Sequence, residues 1–228
     1  MKSKAIIVIV IFASFLAMMQ PSKSQAQDKF FLKALCGYSH AVMDNLSKEL
    51  STQGNGEELK DGYCFSVSLG RTFSKGQLSL EGNMSISLYP ELHYTNPYDS
   101  FTARVTHYAY SIILHKRFLL ESGSLVPSIG IGAGYGTTNL ISGGGKASSV
   151  TALISGGVEY KLRENIFLHF NILYTQSLKS DRFDNPFLEN LTSDAVYDSS
   201  HNVLSDKFKS LDIRCGVTVY LIKKEPEW

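Results

Sequence analysis

The sequence lacks a long internal hydrophobic run, and it lacks an excess of charge of either sign. No internal stretch reaches the roughly 18 apolar residues that a transmembrane helix needs, and the mean hydropathy is -0.05, which excludes a polytopic helical membrane protein. The 22 Lys and Arg residues nearly balance the 21 Asp and Glu residues, for a formal net charge of +1. A chain without a basic excess is not expected to bind nucleic acid.

Cysteine is scarce, and neither cysteine nor histidine follows a ligand spacing. The 228 residues contain three cysteines and six histidines, with no C-x-x-C and no H-x-x-x-H pattern. Structural metal sites and redox pairs usually show such spacings, because neighbouring ligands must converge on one point. We therefore predict no metal and no cofactor.

The N-terminus has the features of an export signal. Lys2 and Lys4 precede an apolar run, and small residues follow it up to Ala26. A basic start, a short apolar core and small residues at a cleavage point are typical of a secretory signal peptide. The run is short and ends in Gln20-Pro21, which favours a signal over a membrane anchor. We predict a signal peptide over residues 1–26.

Glycine and aromatic residues are abundant: 18 Gly, 13 Phe and 12 Tyr. The stretch PSIGIGAGYG, residues 127–136, places glycine at every second position, with Ile, Ala or Tyr between the glycines. Successive side chains of a strand point to opposite faces. Since glycine normally weakens a strand, this pattern indicates one apolar face and one face that needs room.

The same alternation of apolar and small or polar residues recurs in eight segments. They cover about 30–39, 63–73, 78–88, 107–118, 125–136, 150–160, 166–175 and 211–221. The connections alternate between tight turns, such as LREN at 162–165, and long polar segments. The long segments are expected at 41–62, 89–103, 137–149 and 176–206. Short turns at one end and long loops at the other are typical of transmembrane barrels.

The composition of the two faces decides between a membrane barrel and a soluble barrel. The non-apolar face carries Gly, Ser, Thr, Asn and charged residues, which cannot form the dry core of a soluble eight-stranded barrel. The apolar face carries tyrosines near strand ends, as an interfacial girdle does: Tyr108, Tyr135, Tyr160 and Tyr174. We therefore predict an all-β fold, an eight-stranded antiparallel up-and-down transmembrane β-barrel. Ten strands remain an alternative, if segment 176–206 contains a hairpin.

The last strand, RCGVTVYL, carries a family resemblance. Its polar residue, its glycine and two alternating apolar residues resemble the assembly signal of bacterial outer-membrane proteins: Arg214, Gly216, Val219 and Leu221. The family pattern usually ends the chain at an aromatic residue, whereas this chain continues through IKKEPEW to Trp228.

Over residues 29–222 the chain resembles the small eight-stranded outer-membrane barrels of the OmpA/OmpX type. It looks in particular like the outer membrane β-barrel proteins of Bacteroidota. The resemblance implies a place in the bacterial outer membrane, with membrane lipid and lipopolysaccharide around the barrel and the barrel-assembly machinery as a partner during insertion. Arg104, on the outward face of its segment, is a candidate contact for lipopolysaccharide phosphates. The resulting organisation is a signal peptide (1–26), a barrel (27–222) and a short C-terminal tail (223–228).

Seven polar side chains are predicted to face the barrel interior: Glu81, Asn83, His115, Glu159, His169, Asp212 and Arg214. An eight-stranded barrel is only wide enough for side chains to fill it, and buried charges need partners. The seven residues therefore form either a closed plug or the lining of a narrow water path.

Catalysis is not expected. Outer-membrane lipid A deacylases resemble this fold and use a His-x-Ser pair, but the nearest counterpart, His169-Phe170-Asn171, lacks the serine nucleophile. Cys36 and Cys215 fall on the lipid face of the first and last strands, where they form either a bridge or two small apolar contacts.

The expected function is therefore a structural or surface-interaction role through the extracellular loops, because binding residues often lie on loops held by a rigid scaffold. The alternative is a narrow porin-like channel for ions or small solutes. The sequence does not identify a ligand for the loops.

Overall fold

The computed structural model describes residues 29–42, 55–56, 61–95, 100–120, 124–140, 145–180 and 208–221. Within these ranges the chain forms nine strands: β1 (Phe30–Val42), β2 (Asn55–Gly56), β3 (Gly62–Phe73), β4 (Leu78–Thr95), β5 (Ser100–Arg117), β6 (Leu125–Leu140), β7 (Gly145–Lys161), β8 (Ile166–Ser180) and β9 (Lys209–Leu221). No helix in these ranges is long and apolar enough to cross a membrane.

The eight long strands form one closed antiparallel sheet. Each pairs with the next long strand along the chain, and β1 also pairs with β9, so the first and last strands join. The two-residue β2 pairs only with the end of β4. Closure leaves no unpaired edge among the long strands, which is the condition for a β-sheet to span lipid. The predicted eight-stranded antiparallel up-and-down barrel is confirmed.

The strands are staggered around the barrel. Directly paired residues lead once round the sheet from Phe31 through Gly70, Glu81, Ile113, Gly132, Leu153, Thr175 and Ser210 to Ala41. Ala41 lies ten residues beyond Phe31 on the same strand. Such a stagger tilts the strands against the barrel axis and brings residues that are distant in sequence to the same level of the interior.

Burial alternates along every long strand, as the sequence pattern predicts. Outward apolar side chains such as Val67 and Ile131 are 56% and 65% exposed, while the intervening serines, threonines and charged residues are buried inside. Because the exposed face is the apolar face, the surface suits lipid rather than water.

Two connections are shorter than the polar composition predicts. β4 and β5 remain paired as far as Thr95 and Ser100, with a bulge between Leu88 and Glu91, and β6 and β7 remain paired as far as Leu140 and Gly145. The connections expected over 89–103 and 137–149 therefore shrink to 96–99 and 141–144. Backbone pairing does not require apolar side chains, so hairpins continue through polar sequence. The strict alternation of short and long connections is wrong for these two hairpins.

The other two connections at this end, 43–61 and 181–208, are long and lie mostly outside the described residues, as does any hairpin within 181–207. The predicted signal peptide (1–26) and C-terminal tail (223–228) also lie outside them. Residues 74–77 form a tight turn at the opposite end, in which Ser74, Lys75 and Gly76 all have positive φ. We call the end of the barrel with the connections 74–77, 118–124 and 162–165 the turn end, and the opposite end the loop end.

Candidate functional site in the barrel interior

The structure places all seven predicted interior residues on the inner face of the barrel. Their exposed fractions lie between 2% and 5%. They do not form one site. They fall into separate clusters along the barrel, each completed by side chains that the sequence pattern did not single out.

The first cluster surrounds Glu159 at the turn end. Arg117 donates from Nη2 to Glu159 Oε2 and to the Tyr220 hydroxyl, both at 2.6 Å, and that hydroxyl donates to the same carboxylate oxygen at 2.7 Å. His169 Nδ1 lies 3.2 Å from the other carboxylate oxygen. Arg117 Nη1 also donates to the Gly76 carbonyl, at 2.9 Å, which ties the cluster to the turn. The buried carboxylate thus has three neighbouring partners.

Aromatic rings pack around this cluster. The Tyr220 ring centroid lies 5.7 Å from that of Phe31 and 5.1 Å from that of Phe167, and the Arg117 guanidinium lies over the Tyr220 ring at 5.5 Å. The face of an aromatic ring attracts a cation, so the Tyr220 ring stabilises the Arg117 guanidinium. A cavity of about 180 Å³ lies at the turn end, lined in part by Lys29, Arg117 and Tyr220.

The second cluster surrounds Glu81. Lys33 Nζ lies 2.6 Å from Glu81 Oε2, and His115 Nε2 lies 3.3 Å from the same oxygen. Lys33 is itself only 4% exposed and also lies over the Phe31 ring, at 5.3 Å. Lys33 was not among the residues predicted for the interior. Its signal was a lysine at an inner position of the first strand, where a cation needs a buried acid on another strand.

Arg214 is held in a different way from the other charges. Its Nη2 donates to Asn171 Oδ1 at 2.7 Å and its Nη1 to Ser66 Oγ at 3.2 Å. Among the described residues no carboxylate lies within ion-pair distance of Arg214, although Asp212 lies two residues away on the same inner face. Asp212 instead accepts a hydrogen bond from Ser39, at 2.6 Å. Neutral groups therefore solvate both charges.

Asn83 belongs to a row of hydrogen bonds between neutral side chains on the inner face of β3, β4 and β5. It accepts from Ser68 Oγ at 3.0 Å and donates from Nδ2 to Ser111 Oγ at 3.3 Å. These bonds link three adjacent strands across the inner surface.

Three apolar side chains pack together on the inner face beside these polar groups. Ile113, Leu153 and Leu173 are 1%, 3% and 2% exposed and pack as one cluster. The inner face was predicted to be polar, so this cluster was not expected. Its signal was two adjacent apolar residues in otherwise alternating segments, as in Ile112-Ile113.

The loop end of the interior holds a further group. His107 stacks on Phe208 with 4.0 Å between ring centroids, and Tyr89 packs edge-on against Phe208 at 6.4 Å. Tyr89 also bonds Ser39, at 2.8 Å. His107 Nε2 and Thr106 Oγ1 are buried without a hydrogen-bond partner in the described part of the chain.

Side chains of β5 fill the space above the glycines of β6. A Cβ atom at Gly130 would lie 2.6 Å from His115 Nδ1, and one at Gly136 would lie 2.6 Å from His107 Cε1. The alternate glycines of PSIGIGAGYG therefore accommodate bulky neighbours from the adjacent strand.

On the outside, two polar contacts lie at the loop end. Arg104 is exposed and forms an ion pair with Glu91 at 2.9 Å. Asp61, which precedes β3, accepts hydrogen bonds from the Tyr38 hydroxyl and from His40 Nδ1. The Tyr38 hydrogen bond, followed by that of His40, lowers the pKa of the Asp61 carboxyl.

The four residues that resemble the outer-membrane assembly signal lie on both faces of β9. Arg214 is buried inside, and Leu221 is 56% exposed outside. Gly216 faces inward opposite Leu35, where an added Cβ would lie 2.0 Å from the Ala34 carbonyl oxygen. Val219, partly exposed, follows the outward alternation of the strand.

The described residues show no group of three His, Cys, Asp or Glu side chains that could hold a metal ion. The His169 ring contacts Glu159 and the Thr218 hydroxyl through one nitrogen, Nδ1, at 3.2 and 3.5 Å. A proton relay needs the acid at one ring nitrogen and the nucleophile at the other. This histidine is therefore arranged for structure rather than for hydroxyl activation.

Comparison with known proteins identifies the fold. No protein-family profile matches the chain, and no curated protein sequence matches it. Among solved structures, Neisserial surface protein A aligns with a TM-score of 0.56 at 14% identity, over 83% of this chain and 96% of that chain. The outer membrane protein OprG from Pseudomonas aeruginosa aligns with a TM-score of 0.50 at 13% identity, over 86% and 96% of the two chains. The chain thus has the fold of small bacterial outer-membrane β-barrels.

Proposed function

We propose that this protein is a non-enzymatic outer-membrane β-barrel with a closed interior, which acts in surface interaction or envelope structure through its loop end. The observation that carries the proposal is the filled interior. Two ion-pair clusters, a hydrogen-bonded arginine and an apolar cluster share the inner face of the barrel. An eight-stranded barrel has little width beyond what such side chains fill.

The exterior supports the membrane location. Large apolar side chains on all eight long strands are exposed, and a soluble protein rarely exposes so continuous an apolar surface. Outer-membrane lipid and lipopolysaccharide are the proposed surroundings of this surface, and the barrel-assembly machinery is the proposed partner during insertion. Arg104, exposed at the loop end and paired with Glu91, is the proposed contact for lipopolysaccharide phosphates.

The geometry of the loop end supports the surface role. The β4–β5 and β6–β7 hairpins extend beyond the expected strand ends, and the longest connections of the chain, 43–61 and 181–208, leave from the same end. Variable segments on a rigid scaffold are the usual place for recognition. The ligand is not specified by the barrel itself.

Conductance in planar lipid bilayers tests the closed interior against the channel alternative. The refolded barrel, with insertion verified by heat-modifiable gel migration, is expected to give no single-channel steps. Steady, uniform steps would show that the interior conducts, and the porin-like alternative would then replace this proposal.

Cys64 provides an independent probe of the same question, because it is 1% exposed on the inner face. In a Cys36→Ser, Cys215→Ser background, a small cationic methanethiosulfonate should leave Cys64 unmodified until the barrel is unfolded. Rapid modification of the folded barrel would indicate a water path.

The surface role is tested in cells that lack the chromosomal copy. Full-length protein should restore resistance to detergent or adherence to surfaces, whereas a variant with residues 181–207 replaced by a Gly-Ser linker should not. Both proteins must show the same heat-modifiable band. Equal restoration by the two proteins would remove the role assigned to this segment.

A further inference from the structure

Cys36 and Cys215 lie directly opposite each other where β1 joins β9. Both are on the outer face and exposed. Directly opposite residues of antiparallel strands have Cα atoms about 4.5–5.5 Å apart. Disulfides join Cα atoms about 4.4–6.8 Å apart, so the backbone at this position suits a bridge. We propose that Cys36 and Cys215 form a disulfide that closes the seam between the first and last strands.

The third cysteine identifies the pairing. Cys64, on β3, lies opposite Gly37 of β1 and is buried inside the barrel. The wall of the sheet separates its thiol from the two outer thiols. The folded barrel therefore presents a single in-register pair, and Cys64 is the residue expected to stay reduced.

The surroundings of the two sulfurs favour the bridged form. They lie in a depression of about 380 Å³ on the outer surface, whose lining includes Ala34, Phe65 and Met84. A disulfide is apolar and suits this lining. A thiolate is poorly solvated in hydrocarbon, so exchange that would break the bond is slow once the strands are in the membrane.

The bond forms while the thiols are still accessible to water, at the expense of an oxidised dithiol–disulfide oxidoreductase of the cell envelope. The Cys36 thiolate attacks that disulfide, which gives a mixed disulfide and releases one oxidant thiolate. The Cys215 thiolate then attacks the Cys36 sulfur and releases the second oxidant sulfur as thiolate. The two cysteines lose two protons and two electrons in total, and the oxidant becomes a dithiol.

The bridge would link the residues that close the barrel. It joins positions 36 and 215, so the unfolded chain keeps a large covalent loop and loses conformational freedom. β1 and β9 are the first and last strands of the chain, and their pairing closes the ring. The disulfide therefore stabilises the closed barrel against opening at this seam.

The test uses the full chain from outer membranes. Cells are first quenched with acid, which stops thiol exchange. The isolated protein is then denatured in detergent and treated with N-ethylmaleimide. Intact mass should show one maleimide adduct, on Cys64, and a peptide containing Cys36 linked to a peptide containing Cys215. The Cys64→Ser variant should show no adduct. Boiled samples should migrate faster without reductant than with it, because the bridged chain is more compact.

Three adducts, or a bridge that includes Cys64, would overturn the proposal. The proposal assumes export to the envelope, which is part of the proposed function, so fractionation and heat-modifiable migration are recorded on the same samples. Three adducts on a folded, outer-membrane protein would refute the disulfide alone. Protein found outside the membrane would refute the proposed location.

Discussion

Gly132 lies directly opposite Ile113, and the Ile113 side chain occupies the space above it. A Cβ atom at Gly132 would lie 3.0 Å from Ile113 Cγ1 and 2.4 Å from the Ile112 carbonyl oxygen. Ile113 is 1% exposed and packs with Leu153 and Leu173. The glycine thus makes room for the cluster of Ile113, Leu153 and Leu173, and its small size has a packing reason at this position.

Replacing Gly132 by leucine should therefore destabilise the barrel. The new side chain meets backbone as well as Ile113, and overpacking of this kind costs about 1–3 kcal/mol or more. The free energy of unfolding in urea, followed by heat-modifiable migration, measures the loss. Ala133→Leu is the matched control, since Ala133 is exposed on the outer face. Equal effects at the two positions would contradict the packing argument.

Glu159→Gln should cost about 3–5 kcal/mol of unfolding free energy, because it leaves the Arg117 charge buried without its carboxylate. Glu91→Gln removes a carboxylate from the exposed ion pair with Arg104 and should cost about 0.2–1 kcal/mol. Urea unfolding of both variants in the same detergent makes the comparison. A Glu159→Gln barrel as stable as Glu91→Gln would show that the buried ion pair is replaceable by neutral hydrogen bonds.

Tyr220→Phe should cost about 1–3 kcal/mol, since it removes a buried hydroxyl that accepts from Arg117 and donates to Glu159. The ring packing against Phe31 and Phe167 is preserved in this variant. Tyr160→Phe serves as control, because Tyr160 is 50% exposed outside. If thermal conversion to the unfolded gel band occurs at the same temperature for both, the hydroxyl contributes nothing measurable.

Lys33 and Glu81 should be strongly coupled. Lys33→Met alone leaves a buried carboxylate with the His115 ring as its remaining neighbour, and Glu81→Gln alone leaves a buried ammonium group. The double variant should lose less stability than the two single losses together, with a coupling of roughly 0.5–3 kcal/mol. Lys33→Met combined with Tyr89→Phe, at the other end of the interior, should be additive. Additivity in the Lys33–Glu81 cycle would rule out a direct interaction.

The membrane-barrel fold was predictable because it depends on short-range pattern. A period of two places Val67 and Ile131 outside and Glu81 and Asp212 inside without reference to any other strand. The ends of β4–β7 were less predictable, since polar residues such as those near Thr95 continue a backbone ladder as readily as they form a loop. The predicted export signal and C-terminal tail stay predictions.

The sequence by itself determined which side chains face inward and that the outer face suits lipid, because both follow from alternation within a strand. Tertiary structure decided how the interior is filled. Arg117 meets Tyr220 across 103 residues of chain, and Lys33 meets Glu81 across 48. Those meetings depend on the pairing registers and the stagger of the closed sheet, and no pattern within a single strand records them.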